Sequence, residues 1–326
     1  MKKLLKILAV IIFLLVAGVA IFLTYIVKFK PNIPIEEVKI EYTPERIERG
    51  KYLANNVTQC IDCHSTRDWS KYSGPPIPGT EGKGGEIFDE KIGFPGKYYA
   101  ANITPAHLKD WSDGELFRAI TAGVSKDGRP LFPIMPYPYF GKMDREDIYS
   151  IIAYIRSLPP VQNEIPPSQS NFPMSIIIHI IPSKPEFSSR PSPTDKVAYG
   201  KYLATSASCI ECHTPFQKGQ IIEEQAFSGG RYFPMPGGLI ASANITPDKE
   251  TGIGSWDENA FIERFKMFDK TNGNNISDNV KEGDFNSIMP WQKYAGMSRE
   301  DLSAIFAYLK TVKPISNKVP KNTYLK

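Results

Sequence analysis

Cys60-Ile-Asp-Cys-His64 and Cys209-Ile-Glu-Cys-His213 are the two stretches on which the reading of this chain turns. In a Cys-x-x-Cys-His run, both thiols can form thioethers with the vinyl groups of one haem while the adjacent imidazole reaches the iron from the proximal side. This is the attachment signature for c-type haem. The pattern predicts two covalently bound haem c groups, held through Cys60, Cys63, Cys209 and Cys212, with His64 and His213 as proximal ligands. A Cys-x-x-Cys pair alone also suits a redox dithiol or half of a zinc site. A zinc site would have to take both pairs as a single all-cysteine site, leaving two equivalently placed histidines unexplained.

The surroundings of the motifs repeat as well. Arg49-Gly-Lys-Tyr-Leu-Ala54 precedes the first and Tyr199-Gly-Lys-Tyr-Leu-Ala204 the second. Asn102-Ile-Thr-Pro105 matches Asn244-Ile-Thr-Pro247, each followed shortly by a tryptophan, Trp111 and Trp256. Met135-Pro136 corresponds to Met289-Pro290, and each copy closes with a periodic segment, DREDIYSIIAYIRSL to Leu158 and SREDLSAIFAYLKTV to Val312. The apolar spacing predicts a helix in each, with Ser298 and Asp301 as a capping pair. One plan used twice accounts for this order. Gly50 and Gly200 open the first helix of each copy, where a small residue allows close crossing with the closing helix. Asn102 and Asn244 are expected to hold a turn near a haem propionate, and Tyr154 and Tyr308 to cover a haem edge. Between the copies, Pro159-Pro160, Pro166-Pro167 and SSRPSP favour an extended linker. The insert Met174–Ile181, MSIIIHII, is too short to span a membrane and too apolar for a free tether, so it is expected to pack across the copies.

The sixth iron position decides between carrier and reactor. A methionine thioether fills it and raises the potential, whereas an open position admits small molecules. Met135 and Met289, on proline-flanked loops before the closing helices, are the predicted distal ligands. Their rivals are Met143 and Met297, which directly precede those helices where an apolar staple residue is expected, and His107 and His179. Met174, Met235 and Met267 read as packing residues. Arg129, Arg231 and Lys218 are possible propionate partners, against a default of solvated surface.

At the amino terminus, Ile7–Val27 is an uncharged, mostly aliphatic run, long enough as a helix to cross about 30 Å of hydrocarbon. Lys2, Lys3 and Lys6 precede it and favour an amino-in, body-out orientation, although Lys28 and Lys30 follow. The alternative is a cleaved signal peptide with Gly18-Val19-Ala20 as its small-residue site; against it, the apolar run continues through Ile21-Phe22-Leu23. Phe29 to Thr43 has no helical period and reads as a spacer lifting the body off the bilayer. The whole chain has 326 residues, 41% hydrophobic and 23% charged, which excludes a largely disordered protein. Its 28 prolines and 24 glycines require much loop. The formal charge of +4 comes from the lysines of the first stretch, and the near-neutral remainder gives no basic footprint for nucleic acid.

Taken together, the paired Gly-Lys-Tyr-Leu-Ala and Cys-x-x-Cys-His units, the Asn-Ile-Thr-Pro segment with its tryptophan, Met-Pro and the closing helix resemble a known family over nearly all of residues 46 to 315. It is that of membrane-anchored multi-haem cytochrome c proteins related to the cytochrome subunits of bacterial alcohol and aldehyde dehydrogenases. The resemblance implies an all-α fold of two tandem cytochrome c-type domains plus one N-terminal transmembrane helix. The expected boundaries are a transmembrane anchor at 1–30, a spacer at 31–45, cytochrome c domain 1 at 46–160, a linker at 161–196, cytochrome c domain 2 at 197–315 and a tail at 316–326. It further implies one-electron transfer on the periplasmic side of the inner membrane, from a dehydrogenase or quinol-oxidising complex towards a terminal oxidase or other acceptor. Partners are then redox proteins and the membrane, and no catalytic residue is expected. Dehydrogenase-associated members typically carry three haems, whereas this chain has two motifs and its own anchor, so the resemblance supports a cytochrome strongly and an alcohol dehydrogenase partner weakly. The rival class is a di-haem redox enzyme, a peroxidase or thiosulfate-oxidising cytochrome. It would need an open or switching iron ligand or a fifth cysteine, while both copies here supply a similarly placed methionine.

Overall fold

The structure, a computed structural model, describes residues 2–28, 31–235, 238–269, 279–281 and 285–320. Residues 1, 29 and 30 of the expected anchor and 321–326 of the expected tail lie outside the described residues. The aliphatic run forms α1 (Lys2–Lys28), apolar on every side and with no buried residue, long and apolar enough to cross a membrane.

In the first half, α2 (Pro44–Tyr52) passes through a π-helical turn at Leu53–Val57 to the one-turn α3 (Cys60–Cys63). Then come α4 (Pro105–Leu108), α5 (Asp113–Ala122), α6 (Tyr137–Phe140) and α7 (Arg145–Ser157). After the linker helix α8 (Met174–Ile177), the second half has α9 (Lys196–Ser206), α10 (Cys209–Cys212), α11 (Glu258–Lys266), α12 (Trp291–Tyr294) and α13 (Arg299–Leu309). The closing helices start where a side-chain oxygen caps them: Asp144 accepts from the Glu146 amide at 2.8 Å and Ser298 from the Asp301 amide at 3.0 Å.

Each half is built on one tight helix pair, α2 on α7 and α9 on α13, crossing at the two glycines read from the repeat. A Cβ on Gly50 would lie 1.8 Å from the Ser150 carbonyl oxygen, and one on Gly200 1.8 Å from that of Ala304. Only glycine lets the backbones meet so closely. Leu53, Ile61, Ile148 and Ile152 fill the core beside the first crossing, and Leu203, Leu302, Phe261 and Leu309 beside the second.

The expected all-α fold is corrected by three small antiparallel sheets among the described residues. In the first, β1 (Ile87–Phe88) pairs with β2 (Gly96–Tyr99), which pairs on its other edge with β3 (Gln169–Ser170). The second half has the hairpins β4 (Phe216–Gln217) with β5 (Gln220–Ile221), and β6 (Tyr232–Met235) with β7 (Gly238–Ala241). The reason is local: between each motif and its Asn-Ile-Thr-Pro segment the chain is too rich in glycine and proline for helix, and its backbone polar groups pair as short ladders instead. Lys218 and Gly219, at φ of 51° and 83°, make the two-residue turn that such a hairpin needs.

The picture of two domains in tandem is corrected too, because the halves interlock and share one hydrophobic core. The Tyr52 hydroxyl donates to Asp301 Oδ2 at 2.5 Å and accepts from the Ser298 amide at 3.1 Å. Its repeat counterpart Tyr202 donates to Asp147 Oδ2 at 2.7 Å and accepts from the Asp144 amide at 3.2 Å. Each half's first helix thus caps the other half's closing helix.

The joining segments pack closely. Residues 31–43, read as a spacer, lie along the first half: the Ile33 carbonyl accepts from Arg118 at 3.2 Å, Ile40 is buried and the Tyr42 hydroxyl donates to Asp113 at 2.5 Å. The linker also follows the first half, with Phe187 against Phe117 and Arg190 bonded to Asp147 at 2.8 Å. Its apolar insert does not pack across the halves. It lies against α1, and Ile178, though buried, is outside the shared core.

Candidate functional site

Both motifs fold as a single helical turn entered through a left-handed residue, Gln59 at φ 58° and Ser208 at φ 55°. The histidine amide closes that turn onto the first cysteine carbonyl, His64 on Cys60 at 2.9 Å and His213 on Cys209 at 3.0 Å. The cysteines and the histidine are thereby presented together.

Each imidazole is oriented by one backbone carbonyl. His64 Nδ1 lies 2.7 Å from the Ala101 oxygen and His213 Nδ1 2.8 Å from that of Ala243. A carbonyl can only accept, so Nδ1 carries the proton and Nε2 keeps a free lone pair, the tautomer a metal-ligating histidine needs. Burial also pushes both imidazoles below the ordinary histidine pKa and favours the neutral form.

The Asn-Ile-Thr-Pro segments prove to be what holds these carbonyls in place. Asn102 Oδ1 accepts from the Thr104 amide at 2.9 Å and hydroxyl at 2.8 Å, while its Nδ2 donates to the Val161 carbonyl at 2.8 Å. Asn244 repeats all three, at 2.9 and 2.8 Å to Thr246 and 2.8 Å to the Ile315 carbonyl. Each asparagine ties the segment carrying the histidine's acceptor, just past β2 or β7, to the chain leaving the closing helix.

Gly84 and Gly229 complete the cradle and were missed in the sequence reading. Their amides donate to the His64 and His213 carbonyls at 2.9 and 2.7 Å. At φ of 71° and 73°, a Cβ would come within 2.5 Å of Ala101 and 2.4 Å of Ala243. The available signal was the Gly-Gly pair after each motif, Gly84-Gly85 and Gly229-Gly230.

The donor set fits covalent haem better than its rivals. The protein environment raises the pKa of all four thiols, Cys63 and Cys209 to about 12, the opposite of what a reactive dithiol requires. Among the described residues no three His, Cys, Asp or Glu side chains converge to hold a metal, so the cysteine pairs do not combine into one zinc site.

Met135 and Met289 are half-buried on the loops before α6 and α12. The Met289 loop is braced by the opposite half: Ser73 Oγ donates to the Met289 carbonyl and accepts from the Trp291 amide at 3.1 Å, and Gln292 donates to the Tyr72 carbonyl at 2.8 Å. On the Met135 side, Tyr139 reaches across to Glu211, between Cys209 and Cys212, at 2.6 Å. Met143 and Met297 are fully buried in the core, His107 is exposed, and His179 is half-buried in the linker. Tyr154 accepts from Asn55 at 3.1 Å and Tyr308 packs edge-on to Phe227. Arg231 is committed to the second motif, 2.6 Å from the Glu211 carbonyl, while Lys218 sits exposed in its hairpin turn.

Residues 197–313 match the model of the cytochrome c family. This part of the chain resembles a cytochrome c domain. Such a domain implies covalently bound haem c and a role in electron transport. The model matches this one segment, which leaves two tandem cytochrome c domains unsupported; the first half shares the motif geometry of the matched segment. The first half departs from it through its π-helical turn and the sheet it builds with the linker. The chain is 27% identical over 295 residues to the cytochrome c subunit of the quinone alcohol dehydrogenase of Gluconacetobacter polyoxogenes, covering 85% of this chain and 58% of that protein. It is 29% identical over 282 residues to the fructose dehydrogenase cytochrome subunit of Gluconobacter japonicus, covering 82% and 52%. It is 26% identical over 268 residues to a diheme cytochrome c-type protein of Cereibacter sphaeroides, covering 78% and 82%. The chain thus spans little more than half the length of the dehydrogenase subunits it is similar to.

Proposed function

We propose that the chain is a membrane-anchored di-haem c-type electron carrier, with its body on the periplasmic side of the inner membrane. It would take single electrons from a dehydrogenase or quinol-oxidising complex and pass them towards a terminal oxidase or other acceptor. Cys60, Cys63, Cys209 and Cys212 attach the haems, His64 and His213 are the proximal ligands, and Met135 and Met289 the distal ones. The functional segments are then an anchor at 1–30, residues 31–45, a first motif-bearing half at 46–160, a linker at 161–196, a second half at 197–315 and a tail at 316–326.

When bound, haem c supplies a one-electron ferrous–ferric couple. The chain's own work is positional. The Ala101 and Ala243 carbonyls keep the proton on Nδ1 and turn Nε2 outwards as a ligand. Loop bracing such as that from Ser73 holds a thioether within a narrow range of positions, which limits the reorganisation an electron transfer must overcome. The observation that carries the reading is the histidine-to-carbonyl hydrogen bond made twice, each directly after a Cys-x-x-Cys. The dehydrogenase cytochrome subunits among its relatives support a dehydrogenase as donor.

The test is a carbon-monoxide difference spectrum of the dithionite-reduced holoprotein with haem quantified in the same sample. Two haems per chain and no response to carbon monoxide are expected. Stoichiometric binding at one haem would reveal an open or labile iron and move the reading to a di-haem redox enzyme. A single haem per chain would confine the cofactor to one of the two motifs.

A further inference from the structure

The apolar insert of the linker has no place in the electron-transfer reading, yet it is firmly mounted. β3 fixes its entry to the first-half sheet, with Gly96 opposite Ser170, and the Tyr98 hydroxyl donates to Ser170 Oγ at 3.0 Å. The Asn171 amide donates to the Pro95 carbonyl at 3.0 Å, and the Ser175 amide to the Asn171 carbonyl at 2.8 Å. From this mount α8 and the 3₁₀ turn Ile178–Ile180 lie against α1. The least exposed residues of α1 are Ala17, Leu23 and Ile26, all in its C-terminal half. On the outer side of the insert Phe172 is 79% exposed, Ile180 67% and Ile177 39%.

A rigidly held apolar surface continuous with a membrane-length helix meets the same solvent as that helix. We infer that residues 172–181 seat the body on the bilayer, with Phe172, Ile177 and Ile180 entering the acyl–headgroup boundary beside the C-terminal half of α1. This rests on α1 spanning the membrane. The packing of residues 31–43 agrees with it. Because a Cβ on Gly114 would come 2.0 Å from the Glu36 carbonyl oxygen, and Tyr42 is bonded to Asp113, the segment from Glu36 to Tyr42 is pressed onto α5, which leaves only a short stretch of chain between α1 and the body. Lys28, in the last turn of α1, and the exposed Lys184, just beyond the insert in sequence, supply cations suited to lipid headgroups.

The test uses full-length holoprotein in phosphatidylcholine–phosphatidylglycerol nanodiscs, with a nitroxide on one introduced cysteine at a time: Ile180→Cys, Leu15→Cys in α1, and Glu224→Cys on the exposed body. The signal of the unsubstituted chain is subtracted, and collision with oxygen is compared with collision with a water-soluble nickel complex. The oxygen-to-nickel ratio at position 180 is expected to be severalfold above that at 224 and of the same order as at 15. A ratio at 180 equal to that at 224, with position 15 still oxygen-rich, overturns the seat and leaves the span standing. Shielding of position 180 from both colliders also overturns it, because protein rather than lipid then covers the insert. A label at 15 that is nickel-accessible or lost by cleavage removes the span, and the seat with it.

Discussion

Ser73 shows how one residue of the first half reaches the proposed iron environment of the second. It sits at φ 68°, is 1% exposed, and joins the Met289 carbonyl to the Trp291 amide through one hydroxyl. Ser73→Ala keeps the backbone preference almost unchanged and removes both hydrogen bonds. A loosened thioether stabilises the ferrous iron less. In a redox titration one of the two midpoint potentials is therefore expected to fall while the other stays in place. Equal potentials in variant and parent would show that Ser73 serves folding alone. Gly84 and Gly229 belong to the same scale: the sequence offers candidate ligands by motif, but a left-handed glycine matters only where another backbone lies against it, and that neighbour is visible only in the fold.

The helix pairs carry the next level. The repeated Gly-Lys-Tyr-Leu-Ala already marked Gly50 and Gly200 as crossing points, and the structure places a carbonyl oxygen against each. Alanine would add about 1 kcal/mol of helix propensity, but its methyl would force the helices apart, and overpacking of this kind costs about 1–3 kcal/mol or more. Gly50→Ala and Gly200→Ala are each expected to lower the urea midpoint of unfolding, with the propensity gain outweighed. A raised midpoint in either would show that the crossing is slack. Helix α7 was legible to within a residue at each end and α13 to within three, because their caps and apolar period lie inside one short window. The two- to four-residue strands were not, since a strand that short has no period to read.

At the scale of the whole molecule, Asp147 is the joint between halves and linker. It is 1% exposed and receives Arg49 at 2.9 and 3.0 Å, Arg190 at 2.8 Å and Tyr202 at 2.7 Å. Burial raises its pKa, but the hydrogen bonds and charge of Arg49, with Tyr202 and Arg190, outweigh this and hold it below the usual carboxylate value. A depressed folded-state pKa contributes stability that is fully present above the unfolded value of about 4 and is lost as pH falls through the folded one. Urea unfolding should accordingly show stability dropping below about pH 4. Asp147→Asn should lose about 3–5 kcal/mol at neutral pH, because Arg49 is left without its carboxylate, and should flatten part of the acid dependence. An unchanged acid limb in that variant would place the pH dependence elsewhere.

The sequence by itself determined what is covalent or local: the two Cys-x-x-Cys-His motifs, the order in which their surroundings recur, the capped closing helices and the apolar run at the amino terminus. Each is written within a few consecutive residues, where spacing alone dictates which atoms meet. Only the tertiary structure decided that histidine and Ala101 or Ala243 share a hydrogen bond, that a serine of one half braces the methionine loop of the other, and that the linker insert lies against α1 instead of between the halves. It also joined the two halves of the chain around one shared core, through Tyr52 and Asp301, 249 positions apart. Those contacts join distant segments, and their partners are selected by shape and by the need to satisfy buried polar groups once the chain has closed on itself.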